Sequence, residues 1–186
     1  MSKYTYIICG KFYNGIDAEL KEGYKILVKD NKIEAVGREI PQPETAEVVD
    51  LSDATVTPGM IDAHMHMDYI DWHTIREEVY TTSEEAKTIA IIRTAQKTLS
   101  RGFTTVRHPG GITSNGFGVL DVKRAIEKGY ITGSRIVAAP RFLCGAGSHG
   151  DLSQGFARNP ELSNIAQNMR LTLGEGKDFF VNAVRE

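Results

Sequence analysis

The pattern of hydrophobic and polar positions divides the chain into two parts that meet near residue 55. From Tyr4 to about residue 50, short runs of β-branched and aromatic residues alternate with turn residues, a pattern typical of strands. Asp30 and Asn31 separate two such runs and tolerate the left-handed backbone of a tight turn, which predicts a β-hairpin. We therefore predict a small β-rich domain over residues 1–55.

Beyond the turn at 57–59 the period changes, and strand-like segments alternate with longer helical ones. This alternation is typical of parallel βα units. The clearest helix covers residues 83–101, with Thr82 and Glu85 as a capping box and Gly102 as the C-terminal cap. The residues expected to line its apolar face are Ile89, Ile92 and Leu99.

Further elements continue this alternation to the last residue. We predict buried strands at 103–106 and 135–139, a helix at 119–128 between them, and another helix beginning at Asp178. The fold class is therefore α/β, with the second domain over residues 56–186 containing three parallel strands.

Composition and charge narrow the classes of partner. The chain has 186 residues, 41% of them hydrophobic, and a net charge of −2, so it has no basic surface of the kind that binds nucleic acid or anionic membranes. It lacks an apolar run of roughly 18 residues and a secretory signal. Cys9 and Cys144 are far apart and are expected to be free thiols. We expect a cytoplasmic protein that acts on a small molecule.

The strongest chemical signal is a pair of histidines in the segment that follows the Pro-Gly turn. Side chains two apart on a strand point to the same face, so His64 and His66 would project together. Neutral imidazole is a common ligand of zinc and similar ions. We predict that both residues bind a divalent metal, zinc being the expected ion; the alternative for a bare HxH is a pair of exposed or core histidines.

Four other residues are weaker candidates. His149 lies in a glycine-rich loop and His108 follows the second barrel-like strand, and we predict that both bind substrate; each has the alternative of a purely structural position. Asp62 and Asp68 share parity with the histidine pair, so they either support the metal ligands or hold backbone turns.

The string Pro58-Gly59-Met60-Ile61-Asp62-Ala63-His64-Met65-His66 resembles the opening signature of the amidohydrolase superfamily. The segment 101–107 is similar to the second barrel strand of the branch with prolidase-like dipeptidases and imidazolonepropionase-related hydrolases, and 147–151 is similar to a loop of that branch. The first fifty residues look like the small β-rich domain that precedes the barrel in many members.

This resemblance implies the first part of a TIM (β/α)8 barrel with its metal site at the C-terminal ends of the strands. It also implies hydrolysis of a carbon–nitrogen bond in a dipeptide or cyclic amide by metal-activated water. The family's remaining ligands come from the fourth, fifth, sixth and eighth strands, beyond residue 186. We therefore expect a chain that is inactive alone, completed by a second chain or assembled as a homo-oligomer; a non-catalytic module and a nucleobase deaminase are the alternatives.

Overall fold

The structure is a computed structural model that describes residues 2–69, 81–111, 117–140, 143–145, 148, 159, 161 and 176–185. It divides into two compact units, one ending at Pro58 and one beginning at Gly59. None of the helices in these ranges has the length and apolar character needed to cross a membrane.

The first unit is a mixed β-sheet. Its strands are β1 (Tyr4–Phe12), β2 (Lys21–Glu22), β3 (Lys25–Lys29), β4 (Lys32–Gly37) and β5 (Glu47–Val56). The order is β2-β1-β3-β4, and β5 pairs with β1 in parallel. The hairpin that joins β3 and β4 turns at Asp30, whose φ of 55° is the left-handed conformation expected of this position.

The buried side chains of β1 and β3 lie on both faces of the sheet, because Tyr6 pairs with Leu27 and the adjacent Ile26 points to the opposite face. Tyr6, Cys9, Ile26 and Leu27 are all buried, and the Tyr6 hydroxyl donates a hydrogen bond to the Ile40 carbonyl at 2.9 Å. Burial of each large aliphatic side chain contributes roughly 1.5–3 kcal/mol, so these positions hold the sheet together.

The second unit contains a parallel sheet and three helices. Its elements are β6 (Met60–Asp62), α1 (Glu84–Ser100), β7 (Phe103–His108), α2 (Gly118–Glu127), β8 (Arg135–Ala138) and α3 (Gly176–Arg185). The strands are parallel in the order β6-β7-β8, as the alternating pattern predicts.

The hydrophobic core of this unit lies between the sheet and helices α1 and α2. Val106 of β7 and Ile136 of β8 are adjacent in register and are 0% and 2% exposed. They share one cluster with residues from both helices, with Met67 and with the partly buried Met65. The segment after β6 therefore directs its two methionines toward the helices.

Helix α1 differs from the sequence prediction at its cap and along its buried face. The N-cap is Ser83, whose Oγ accepts a hydrogen bond from Ala86 N at 3.2 Å, so the prediction of a box formed by Thr82 and Glu85 was wrong. The buried residues of the helix are Lys87, Ile91, Ala95 and Thr98. Ile89 is 65% exposed, so its assignment to the buried face was also wrong.

The opposite face of the parallel sheet is open to solvent. Ile61, Thr105 and Arg135 are paired across the three strands, and Val137 is paired with Arg107. Ile61 is 69% exposed and Val137 is 50% exposed. Paired residues of parallel strands lie on one face, so two large apolar side chains and two arginines are available on this surface.

Candidate functional site

Strand β6 ends just before the histidine pair because of a local side-chain hydrogen bond. Asp62 Oδ1 accepts from His64 N at 3.0 Å, an Asx-type turn that competes with continuation of the strand. Asp62 therefore serves the turn, which is one of the two roles considered for it. The strand covers only Met60–Asp62, so the expectation that both histidines alternate along a regular strand was wrong.

His64 and His66 nevertheless lie side by side beyond the strand. Their ring centroids are 5.2 Å apart with the planes at 79°. His64 is exposed and His66 is half-buried. Met65 and Met67, which alternate with the two histidines, pack in the core cluster of this unit.

His66 is held by contacts on two sides of its ring. Its Nδ1 lies 2.6 Å from the Gly110 carbonyl oxygen, so Nδ1 carries the proton and donates. The Tyr69 ring stacks on it with centroids 4.7 Å apart and an interplanar angle of 7°. With the proton on Nδ1, the lone pair of a neutral ring is on Nε2, which is the arrangement of metal-ligating histidines whose other nitrogen donates to a carbonyl.

His108, the last residue of β7, is only 1% exposed. Its Nδ1 accepts a hydrogen bond from Met67 N at 3.2 Å, and its Nε2 has no hydrogen-bond partner within the described ranges. Its ring centroid lies 6.2 Å from that of His66. Burial lowers the pKa of His108, an effect that the nearby Asp68 carboxylate opposes, so the ring is neutral at pH 7.

Asp68 and Tyr69 complete the packed region around these rings. Asp68 is fully buried, and a Cβ at Gly111 would lie 2.0 Å from its Oδ2. Burial, with a smaller contribution from the Asp68 charge, raises the pKa of Tyr69 to about 12. The tyrosine is therefore neutral at physiological pH, and the glycine is required by the close approach of the carboxylate.

A cleft of about 500 Å³ begins at His66 and Tyr69 and continues along α1. The helix residues that contribute positive charge to its wall are Arg93, Lys97 and Arg101. Of the carboxylates in the described ranges, none lies within ion-pair distance of these three side chains. The described part of this wall is therefore positively charged.

The structure brings together some of the sequence-predicted residues and leaves others undescribed. His64, His66 and His108 are neighbours, with Asp68 beside them, whereas His149 and its neighbour Asp151 lie outside the described residues. Sequence reasoning missed Tyr69, Gly110 and Gly111 as parts of this region. The paired glycines after β7 were a detectable signal, because close backbone approach is a common reason for them.

The donor set fits a divalent ion only in part. Two imidazoles with adjacent rings are available, but within the described ranges no group of three or more His, Cys, Asp or Glu side chains is arranged to hold a metal. A catalytic zinc ion usually has three protein ligands. His64 and His66 are therefore suited to provide two ligands of a larger set.

Comparison with known proteins identifies the family. The model of the amidohydrolase family matches residues 55–174. An adenine deaminase of Lactobacillus delbrueckii subsp. bulgaricus is 45% identical over 47 residues, which cover 25% of this chain and 8% of that protein. A dihydroorotase of Lactobacillus leichmannii is 37% identical over 82 residues, covering 44% of this chain and 16% of that enzyme.

Solved structures extend the similarity to nearly the whole chain. A Xaa-Pro dipeptidase with bound methionine in its active site superposes with a TM-score of 0.78 and 26% identity, covering 98% of this chain and 44% of the dipeptidase. The chain thus spans less than half the length of that enzyme and a smaller share of the deaminase and the dihydroorotase. The family match covers well over half of the sequence, and the chain belongs to the amidohydrolase family.

Proposed function

We propose that this chain carries the first part of a metal-dependent site for the hydrolysis of carbon–nitrogen bonds, with His64 and His66 as ligands and zinc as the ion. The observation that carries the proposal is the hydrogen bond from His66 Nδ1 to the Gly110 carbonyl at 2.6 Å, which leaves Nε2 unprotonated for a cation. A bound divalent ion would lower the pKa of a water molecule and polarise a carbonyl group.

In this scheme, other residues of the chain would position and orient the two histidines. Tyr69 holds the plane of the His66 ring by stacking, and Asp62 sets the turn that presents His64. The packed methionines exclude water from the inner side of the segment. His149 and His108 stay predictions as substrate-binding residues, although His108 is 1% exposed and would have to rearrange to contact a substrate. The described residues do not supply a third metal ligand.

The likeness to a Xaa-Pro dipeptidase, at 26% identity and a TM-score of 0.78, supports a peptide-like substrate over a nucleobase. A nucleobase deaminase is the alternative, and the similarity to adenine deaminase over 47 residues is its support.

Zinc titration of the purified chain tests the proposal. We expect one Zn²⁺ per chain, bound more weakly than in a complete site because two histidines are fewer than the usual ligand number. Even residues that only support a ligand cost about 10–100-fold in metal affinity, so His64→Ala and His66→Ala should each cost at least about 100-fold. Calorimetry and equilibrium dialysis with metal analysis provide the measurement.

The matched control for this titration is His73→Ala, a histidine outside the predicted ligand pair. It should leave the zinc affinity unchanged. Equal loss in all three variants would indicate nonspecific binding by histidine and would contradict the proposal. Turnover of a dipeptide by the isolated chain would contradict the expectation that further ligands are needed.

A second proposal concerns the partner. The open face of the parallel sheet, with Ile61 and Val137 exposed, favours a complementing chain or a second copy that covers it. On this view the hydrolase is assembled from two polypeptides. Co-purification of a chain that restores metal affinity and activity would support it.

A further inference from the structure

The segments that follow β6 and β7 are joined by two hydrogen bonds in opposite directions. Met67 N donates to His108 Nδ1 at 3.2 Å, and His66 Nδ1 donates to the Gly110 carbonyl at 2.6 Å. One bond runs from the backbone of the first segment to a side chain of the second, and the other runs from a side chain of the first to the backbone of the second. Together, the two hydrogen bonds constrain His66 through both its side chain and the peptide group that follows it.

The bond to His108 constrains the backbone at His66. The donating N–H belongs to the peptide group that directly follows His66, so anchoring it restricts the ψ angle of that residue. The contact is buried, and a buried N–H without an acceptor costs about 1–3 kcal/mol. An acceptor at this position is therefore needed to hold the peptide group where it is.

The same bond determines what His108 itself is able to do. A neutral imidazole that accepts at Nδ1 carries its proton on Nε2, so this ring has no second lone pair for a cation. The ring is also 1% exposed, which leaves no surface for a substrate in this conformation. Retaining a buried Nε2 without a hydrogen-bond partner within the described ranges is unfavourable, so a compensating role is expected.

We infer that His108 is a positioning residue for His66: its Nδ1 fixes the peptide group after His66 so that the His66 ring reaches Gly110 and keeps Nε2 unprotonated. The inference that this benefits a metal rests on the proposed function. The control of the His66 tautomer does not, because it is a property of the metal-free chain. Gly110 contributes a φ of 121°, which places its carbonyl where side-chain-bearing residues rarely place one.

Two variants of His108 distinguish the effect of its hydrogen-bond acceptor from the effect of the bulk of its ring. The side-chain oxygen of Asn can take the place of Nδ1, so His108→Asn retains the acceptor for Met67 N, whereas His108→Leu has similar bulk without an acceptor. Long-range ¹H–¹⁵N NMR of the metal-free chain reports the tautomer of His66. Zinc titration reports the affinity. Val122→Ala, which opens the core at a buried position of α2, is the control for destabilisation alone.

We expect the wild-type chain and His108→Asn to show His66 protonated on Nδ1, and His108→Leu to show a mixture of tautomers. The zinc affinity of the Leu variant should fall about tenfold, at the lower end of the range for residues that support a ligand. Val122→Ala should lower the unfolding temperature without altering the tautomer. If the Leu variant does not fold, His108→Gln replaces it, because its amide reaches the Nε2 position instead.

An unchanged His66 tautomer in the Leu or Gln variant would overturn the inference, as would an equal change in Val122→Ala. Absence of zinc binding by the wild-type chain would instead contradict the proposed function. The NMR comparison would still decide the role of His108 in that case.

Discussion

Two glycines near His66 occupy positions where another residue would clash or would adopt a strained backbone. Gly111 lies against the Asp68 carboxylate, and Gly110 adopts a φ of 121° to present its carbonyl to the histidine ring. Neither requirement follows from hydrophobic patterning, because both arise from contact with a segment about forty residues earlier. These glycines therefore belong to the same structural unit as the histidine pair.

Gly111→Ala should destabilise the chain. The added Cβ would lie 2.0 Å from Asp68 Oδ2, and because Asp68 is fully buried its carboxylate has little room to move. Overpacking of this kind typically costs about 1–3 kcal/mol, and thermal or urea unfolding measures it. The control is Gly145→Ala, where no described residue lies within 4 Å of the added atom. Equal unfolding free energies for the two variants would contradict the contact.

Helix α1 illustrates how an element is placed by what packs against it. Its buried residues recur at intervals of three and four, but they include Lys87 and Thr98 rather than the more hydrophobic Ile89. Lys87 is 1% exposed and its Nζ lies 2.9 Å from Glu84 Oε1, so an ion pair allows its burial. A hydrophobicity pattern cannot detect such a residue.

The end of α1 is connected to the sheet through buried hydroxyl groups. Ser134 Oγ lies 2.8 Å from Thr98 Oγ1 and donates to the Phe103 carbonyl at 2.5 Å, and Ser134 N donates to the Ala95 carbonyl at 3.0 Å. The segment before β8 is thereby attached to both the helix and β7. Each of these groups would otherwise be a buried polar atom without a partner.

Ser134→Ala should lower stability by about 1–3 kcal/mol, because it leaves buried hydrogen-bonding groups unpaired. The loss is expected in the free energy of unfolding measured with urea, with the denaturant slope unchanged. Ser100→Ala is the matched control, since Ser100 is exposed and its Oγ donates to the Lys97 carbonyl of its own helix turn. A Ser134 variant as stable as the Ser100 variant would argue against the network.

At the scale of the whole molecule, the parallel sheet has one covered face and one open face. Val106 and Ile136 are buried beneath the helices, whereas Ile61 and Val137 face solvent on the other side. In a (β/α)8 barrel this second face is the packed interior. We proposed that a complementing chain or a second copy covers this open surface. Substitution of its exposed residues tests that proposal.

Replacing Ile61 and Val137 by threonine should reduce self-association and dye binding to exposed apolar surface. Threonine keeps the branched shape suited to a strand while removing apolar area. Sedimentation velocity over a range of concentrations and fluorescence of a hydrophobic dye measure the two effects. Ile89→Thr is the control, because Ile89 is 65% exposed on α1, away from this face. A matching change in that control would mean that the sheet face has no special role.

The sequence by itself determined the α/β pattern, the hairpin at Asp30 and the pair His64 and His66, because these depend on local periodicity, turn preference and short spacing. These features can be predicted from the order of the residues alone. The resemblance to amidohydrolases was likewise readable from short strings, and the family match over residues 55–174 confirms it.

Only the tertiary structure decided which hydrogen-bond partners the histidines have. Whether His66 keeps Nε2 unprotonated depends on the Gly110 carbonyl, and the role of His108 depends on Met67 N, both more than forty residues away in the chain. The buried side of α1 was similarly settled by the sheet that it covers. Hydrogen-bond partners and burial are properties of packing in space, so local sequence has no means of specifying them.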